Sequence, residues 1–147
     1  MIFSPEQSFA QWYMANRPHL NTNSKLCNFN ENYVESLLYR GGRFQAEMCT
    51  IKPNTKLVMH KHPGIDSVFL FGGGDMEFKI NDGPMLKLIQ GDIGSVTGED
   101  YHGGIIGKDG AIFYTFQYWK GYSDVNGLVS AKWEYLDDSD TAHTVAI

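Results

Sequence analysis

Met59-His60-Lys61-His62-Pro63-Gly64-Ile65-Asp66 is the stretch on which the fold of this chain turns. Leu57, Val58 and Met59 favour an extended strand from Lys56 to His62. In a strand, residues i and i+2 point to one face, roughly 6.5–7 Å apart along the chain. Two imidazoles so placed can converge on one metal ion with bonds of about 2 Å. A third, His102, follows in the glycine-rich run Tyr101-His102-Gly103-Gly104, and the strands between are expected to bring it back to the pair.

Working outward, runs rich in Val, Ile, Phe and Tyr from Arg43 onward are separated by turn residues at intervals of about ten, the signal for an antiparallel sandwich or barrel. These turns are expected at Pro53-Asn54, Gly72 to Asp75, Asn81 to Pro84, Gly91-Asp92, Gly98 to Asp100, Gly107 to Gly110 and Ser123 to Gly127. Met76, Phe78 and Ile80 alternate with Glu77 and Lys79, giving one strand an apolar inner and a charged outer face. The run Ala111 to Trp119 is aromatic throughout, which predicts that both its faces are covered, the outer one by a second copy in a homodimer. Gly72-Gly73-Gly74 reads as a hairpin turn rather than a phosphate cradle, because a strand pattern and not a helix follows it. Asp124-Val125-Asn126-Gly127 lacks the later glutamate of a calcium loop and reads as a turn.

Toward the N-terminus, Ser4-Pro5-Glu6-Gln7 combines an N-cap residue with proline at the first helical position, and Phe9, Trp12 and Tyr13 continue at helical spacing until Pro18. One short packing helix is expected there. Residues 1–40 read as that helix with an irregular extension, and residues 41–147 as the barrel. At 147 residues the chain has the length of one domain able to bury its own core. A net charge of −5 with 12 scattered Lys and Arg argues against a nucleic-acid partner. No apolar run has the roughly 20 residues of a membrane span, and no signal-peptide pattern opens the sequence, so a cytoplasmic location is expected. The 2 cysteines, Cys27 and Cys49, form no CxxC pair and read as reduced thiols, Cys49 within a strand.

These residues resemble the cupin superfamily. Its first motif, Gly, five residues, His-x-His, three or four residues, Glu, six residues, Gly, appears here as Asn54, His60-Lys61-His62, Asp66 and Gly73. Asn can replace the first glycine because it tolerates left-handed backbone. Asp is one methylene shorter than Glu. The second motif appears as Gly91, Thr97-Gly98-Glu99, His102 and Ile106, with the proline, second glycine and asparagine of the family replaced. The resemblance implies an all-β, cupin-type double-stranded β-helix, a jelly-roll barrel behind the short N-terminal helix, with a metal held by His60, His62, His102 and Asp66. Three of only 5 histidines fall on these positions. His19 and His143 lie outside any motif and read as surface residues.

Within the superfamily the chain is similar to the acetylacetone-cleaving dioxygenases and the cupin domain of anti-sigma regulators, in stretches from His60-x-His62 to Trp133. Those dioxygenases hold iron with three histidines and no carboxylate, which by likeness leaves Asp66 optional. Polar pocket positions of that group fall at Phe78, Val96 and Ile105 here, so its substrate does not carry over. Pleat alternation from the histidines is expected to place Val58, Val68 and Leu70 on the inner face, joined by Met76, Phe78 and Ile80. Glu99, Asp100 and Tyr101, beside the third histidine, are the candidate acid and base groups, Glu99 and Tyr101 foremost.

Neutral imidazoles suit Fe(II), favoured by the resemblance, and also Mn(II), Zn(II), Ni(II) or Cu(II). The leading expectation is a non-haem iron dioxygenase acting with O2 on a small carbonyl, enol or aromatic ketone substrate. A redox-neutral isomerase or lyase is the alternative within enzymes. A sensor or ligand-binding module, holding zinc in a closed shell completed by Asp66, is the alternative outside them. Protonation is expected to release the metal as pH falls through roughly 6.

Overall fold

The computed structural model describes residues 25–29, 32–120 and 131–147. The helix expected between Ser4 and Pro18, the turn at Asp124 to Gly127 and the side chain of Cys27 lie outside what is described. Among the described residues every regular element is a strand: β1 (Lys25–Phe29), β2 (Tyr33–Gly41), β3 (Phe44–Ile51), β4 (Thr55–Lys61), β5 (Ile65–Ile80), β6 (Leu86–Lys87), β7 (Ile93–Val96), β8 (His102–Trp119), β9 (Glu134–Tyr135) and β10 (Thr144–Ala146). The expected boundary after residue 40 falls inside β2, which pairs antiparallel with β3 from Tyr33–Ile51 to Gly41–Phe44.

Two long bent strands run through the whole barrel. β5 and β8 pair antiparallel from Ile65–Trp119 to Ile80–His102. The C-terminal half of β8 also pairs with β3, and its N-terminal half with β4. β8 is thus hydrogen-bonded on both edges, to β5 on one and to β3 and then β4 on the other, with β2 and β1 continuing beyond β3 and β10 beyond β4. This curled antiparallel sheet, closed by two strands that serve both of its halves, is the double-stranded β-helix.

The glycine runs expected to close hairpins instead let these strands bend without ending. Register shifts fall between Phe71 and Gly73 and between Gly74 and Met76. At Gly74 φ is +111°, and a Cβ there would lie 2.1 Å from the Gly110 carbonyl oxygen. Gly110 itself has φ +69°. Bulges add a residue to one strand and re-aim its side chains. Accordingly Phe71 is buried before the corner and Met76 and Phe78 after it, a switch from odd to even positions. β8 switches at the same level, from the buried His102, Gly104 and Ile106 to Ala111 and Gln117. Turns do form at Pro53-Asn54, Asn81 to Pro84, Gly91-Asp92 and Gly98-Glu99, with Asn54 at φ +56° as an asparagine in place of glycine allows.

The core between the sheet halves includes Tyr33, Cys49, Ile51, Leu57, Phe71, Met76, Phe78, Val96 and Ile106. Cys49 is buried in β3. On the outer face Phe44, Val68, Phe116 and Tyr118 are exposed, with the Phe44 and Tyr118 rings 5.3 Å apart. No helix among the described residues is long and apolar enough to cross a membrane.

The corner gives a direct test. Gly74→Ala places a methyl against backbone and is expected to cost at least about 2 kcal/mol in urea denaturation. Gly42→Ala, at φ +56° with nothing within 4 Å of its Cβ, should cost only about 1 kcal/mol. Equal costs would place the bend elsewhere.

Candidate metal centre

His60 and His62 stand on or just beyond β4, and His102 opens β8, where the register sets His60 against His102. A shift between Leu57 and His60 turns the strand here. Candidate ligand atoms of the three imidazoles lie within 4.8 Å of one another. The His60 and His102 ring centroids are 4.4 Å apart, and those of His62 and His102 5.3 Å.

Each ring is oriented by a backbone carbonyl. His60 Nδ1 lies 2.6 Å from the Val58 carbonyl, His62 Nδ1 3.1 Å from that of Lys132, and His102 Nδ1 3.1 Å from that of Asp100. A carbonyl only accepts, so in the neutral ring the proton sits on Nδ1 and the Nε2 lone pair is free for a metal. Burial keeps the rings neutral. It pushes His60 well below the ordinary imidazole value, reinforced by His102 and His62. Burial and His102 lower His62 to about 3, and burial lowers His102 against the pull of the Asp100 carbonyl. Three neutral nitrogen donors of fixed tautomer fit a divalent transition ion, and this group could hold one. Protons therefore compete for these lone pairs only at a pH lower than the sequence-based expectation of 6.

The histidines share a cavity of about 50 Å³ with Leu57, Phe69, Met76, Phe78, Leu88, Val96 and Phe113 on its apolar side. Tyr33, Glu35, Cys49, Ser67, Thr115 and Gln117 supply polar groups. Since roughly 10–15 Å³ of such volume admits one water, the cavity takes an ion and a few heavy atoms. Trp133 stacks on His60 at 3.6 Å between centroids and on His143 at 3.7 Å, and Tyr135 Oη lies 2.8 Å from His143 Nδ1. His143, expected at the surface, is half-buried in this stack. The Trp133 Nε1 and Thr115 Oγ1 atoms are buried without a protein hydrogen-bond partner.

The structure separates the other expected site residues. Asp66 stands apart from the histidine group: its Oδ1 accepts from the Gly98 amide at 3.1 Å and pairs with Lys120 Nζ at 3.0 Å. The turn at Pro63-Gly64, closed by Ile65 N to the His62 carbonyl at 3.1 Å with Gly64 at φ +79°, breaks the alternation assumed across it. Ile65, Ser67 and Phe71 are therefore buried, while Asp66 takes the other face and Val68 is exposed. Leu70 shares that face and does not line the cavity. Val58 is buried outside the cavity wall because the bulge after Leu57 gives the inward position to Leu57; Val58 contributes its carbonyl instead. Ile105 alternates with the buried Gly104 and Ile106 and pairs with Lys56 and Glu77 on the outer face. Met76, Phe78 and Val96 do line the cavity.

Glu99 and Tyr101 also stand outside the cavity. Glu99 is exposed, 3.6 Å from Lys61 Nζ, which lies 5.0 Å from the Tyr101 ring centroid. Tyr33 and Glu35 were missed because Tyr33 to Leu38 is short and mixed. Their alternation within a strand was the available signal.

No known protein-family model matches the chain, and no curated protein matches it. Solved structures do. A cupin-2 domain of Rhodospirillum rubrum superposes with a TM-score of 0.63 at 12% identity, over 81% of this chain and 79% of that one. KdgF from Halomonas sp. gives 0.58 at 13% identity, over 71% and 89%. A DMSP lyase gives 0.55 at 15% identity, over 63% of this chain and 50% of the other. The shared property at such identities is the fold: this chain has the cupin double-stranded β-helix, with three histidines brought together inside it.

Proposed function

We propose that this chain is a small metal-dependent enzyme acting on a small carbonyl or enol substrate. The observation that carries this reading is the set of three neutral imidazoles, His60 and His102 buried and His62 partly so, whose Nδ1 atoms are committed to carbonyls beside a largely apolar cavity. When bound, a divalent ion supplies Lewis-acid polarisation of a substrate oxygen, and iron adds O2 chemistry. The protein's own residues do the rest. Phe69, Met76, Phe78 and Val96 exclude water, and Ser67, Thr115 and Gln117 offer hydrogen bonds that orient a small polar molecule.

Of the two chemistries open to such a site, redox-neutral isomerisation or lyase chemistry is better supported than iron-dependent dioxygenation. Its support is the protic wall of Tyr33 and Glu35, which a proton-transfer reaction needs. The likeness in fold to a DMSP lyase agrees with it. Asp66 engaged with Lys120 weighs against a closed four-ligand sensor site. With 2 cysteines in 147 residues and no CxxC pair, the sequence suits a cytoplasmic location. A second copy of the chain covers the outer face of Phe44, Val68, Phe116 and Tyr118.

Alanine at His60, His62 or His102 is expected to abolish stoichiometric metal in elemental analysis, whereas Asp66→Ala retains it. Product formation that requires O2 would sink the redox-neutral reading in favour of the dioxygenase. In light scattering, Phe116→Glu should convert a dimer to a monomer; a monomeric wild type removes the dimer.

The pH dependence has a definite sign. Depressed imidazole values mean that the unfolded chain binds more protons than the folded one below about pH 6.5. The melting temperature of metal-free protein should therefore fall as pH drops from 6.5 toward about 3, where His62 protonates in the fold. Metal should remain bound at pH 5. Metal loss at pH 6 would mean that the rings are solvated.

A further inference from the structure

Tyr33 and Glu35 project from β2 into the same cavity as the three histidines. Both are almost fully buried, at 3% and 5% exposure. The Tyr33 hydroxyl and Glu35 Oε1 are 2.7 Å apart, and the hydroxyl also lies 3.4 Å from Cys49 Sγ. The register sets Glu35 opposite Cys49, and Glu47, which is also buried, opposite Thr115. Outside the cavity lining, Gln45 Nε2 donates to Glu47 Oε1 at 2.8 Å, and Arg40 Nε donates to Gln45 Oε1 at 2.6 Å.

A carboxyl in such surroundings keeps its proton. Burial pushes Glu35 well above the carboxylate range and the nearby Glu47 pushes it further, while the Tyr33 hydrogen bond opposes them. Tyr33 is raised by burial, by Cys49 and by Glu35. The ionisable groups facing this pair are Cys49 and Glu47 from β3 and His143, whose ring centroid is 6.3 Å from that of Tyr33. His60, His62 and His102 lie in the cavity they share. The pair therefore holds two protons beside the cavity.

We infer that the Tyr33 hydroxyl is the proton-transferring catalytic group of this cavity, with Glu35 as its positioning and proton-sharing partner, for a substrate with a C–H next to a carbonyl. The inference rests on the redox-neutral reading above. In the transfer, the Tyr33 O–H breaks as an O–H forms on the substrate carbonyl oxygen, and the Glu35 proton moves to the Tyr33 oxygen. The adjacent C–H then breaks, and its proton returns through the hydroxyl to the Glu35 carboxylate. The carbonyl becomes an enol with no net gain or loss of protons and no change of oxidation state. At 2.7 Å the two oxygens are close enough to exchange a proton in either direction.

Two measurements test this. In protein labelled with ¹³C at glutamate carboxyls, the resonance that disappears in Glu35→Gln should be that of a protonated carboxyl at pH 7, in metal-free and metal-containing samples alike. In D2O, wild-type protein carrying metal should catalyse deuterium exchange into hydroxyacetone. Tyr33→Phe and Glu35→Gln should lose about a hundredfold of that rate with metal content and melting temperature retained. An ionised Glu35 at pH 7, no exchange by metal-containing wild type, or undiminished exchange in either folded variant overturns the inference. If Tyr33→Phe fails to fold, Glu35→Gln decides. A wild type without metal overturns the metal-dependent reading, and the carboxyl resonance then decides whether Tyr33 and Glu35 hold their protons.

Discussion

The antiparallel pairing of β5 with β8 is the constraint on which everything else in this chain depends. These strands share hydrogen bonds from Ile65–Trp119 to Ile80–His102, and through them both halves of the barrel are fastened to one spine. Gly74 and Gly110 let the spine bend because neither position tolerates a side chain. The bend sets which face of each strand looks inward. His102 owes its inward position to the half of β8 before the corner, and Gln117 and Thr115 owe theirs to the half after it.

Much of this was legible in the sequence. His60-x-His62 and His102 kept the spacing of a three-histidine site, and alternation through Met76, Phe78 and Ile80 gave the inner face of one strand correctly. Misplacement began wherever alternation was carried across a turn or bulge. Asp66 and Val68 have the same parity as the histidines, yet the turn at Pro63-Gly64 lies between them and β4. The period of two holds only inside an unbroken ladder, so an inserted residue sends every later side chain to the opposite face. Gly72-Gly73-Gly74 misled differently: glycine marks both hairpins and strand corners, and only the partner strand decides which forms. Tyr33 and Glu35 carried no motif, because their role comes from burial next to β3 and not from local sequence.

The cavity wall is unusual in its chemistry. Glu35 on that wall and Glu47 behind it are both buried, where a lone carboxylate is costly unless it is hydrogen-bonded or neutral. The Gln45 amide lowers that cost at Glu47 and the Tyr33 hydroxyl lowers it at Glu35, where holding the proton lowers it further. On the other part of the wall the same low polarity works in the opposite sense on the imidazoles, removing a proton from each. One largely apolar space thus keeps Tyr33 and Glu35 protonated and the imidazoles unprotonated, the arrangement in which proton exchange and metal ligation can coexist.

The carbonyl that orients His62 belongs to Lys132, seventy positions away in sequence, and the ring that covers His60 is that of Trp133. His102 is set by its own near neighbour, Asp100. The donor set therefore mixes two rings fixed by near neighbours, His60 by Val58 and His102 by Asp100, with one fixed from distant chain, and closing that long loop carries an entropic cost. In kinetic terms the centre is a high-contact-order feature, assembled late, after the barrel's strands have found their register. A metal that binds it would slow unfolding more than it speeds folding, acting as a lock on the finished barrel and not as a nucleus for it.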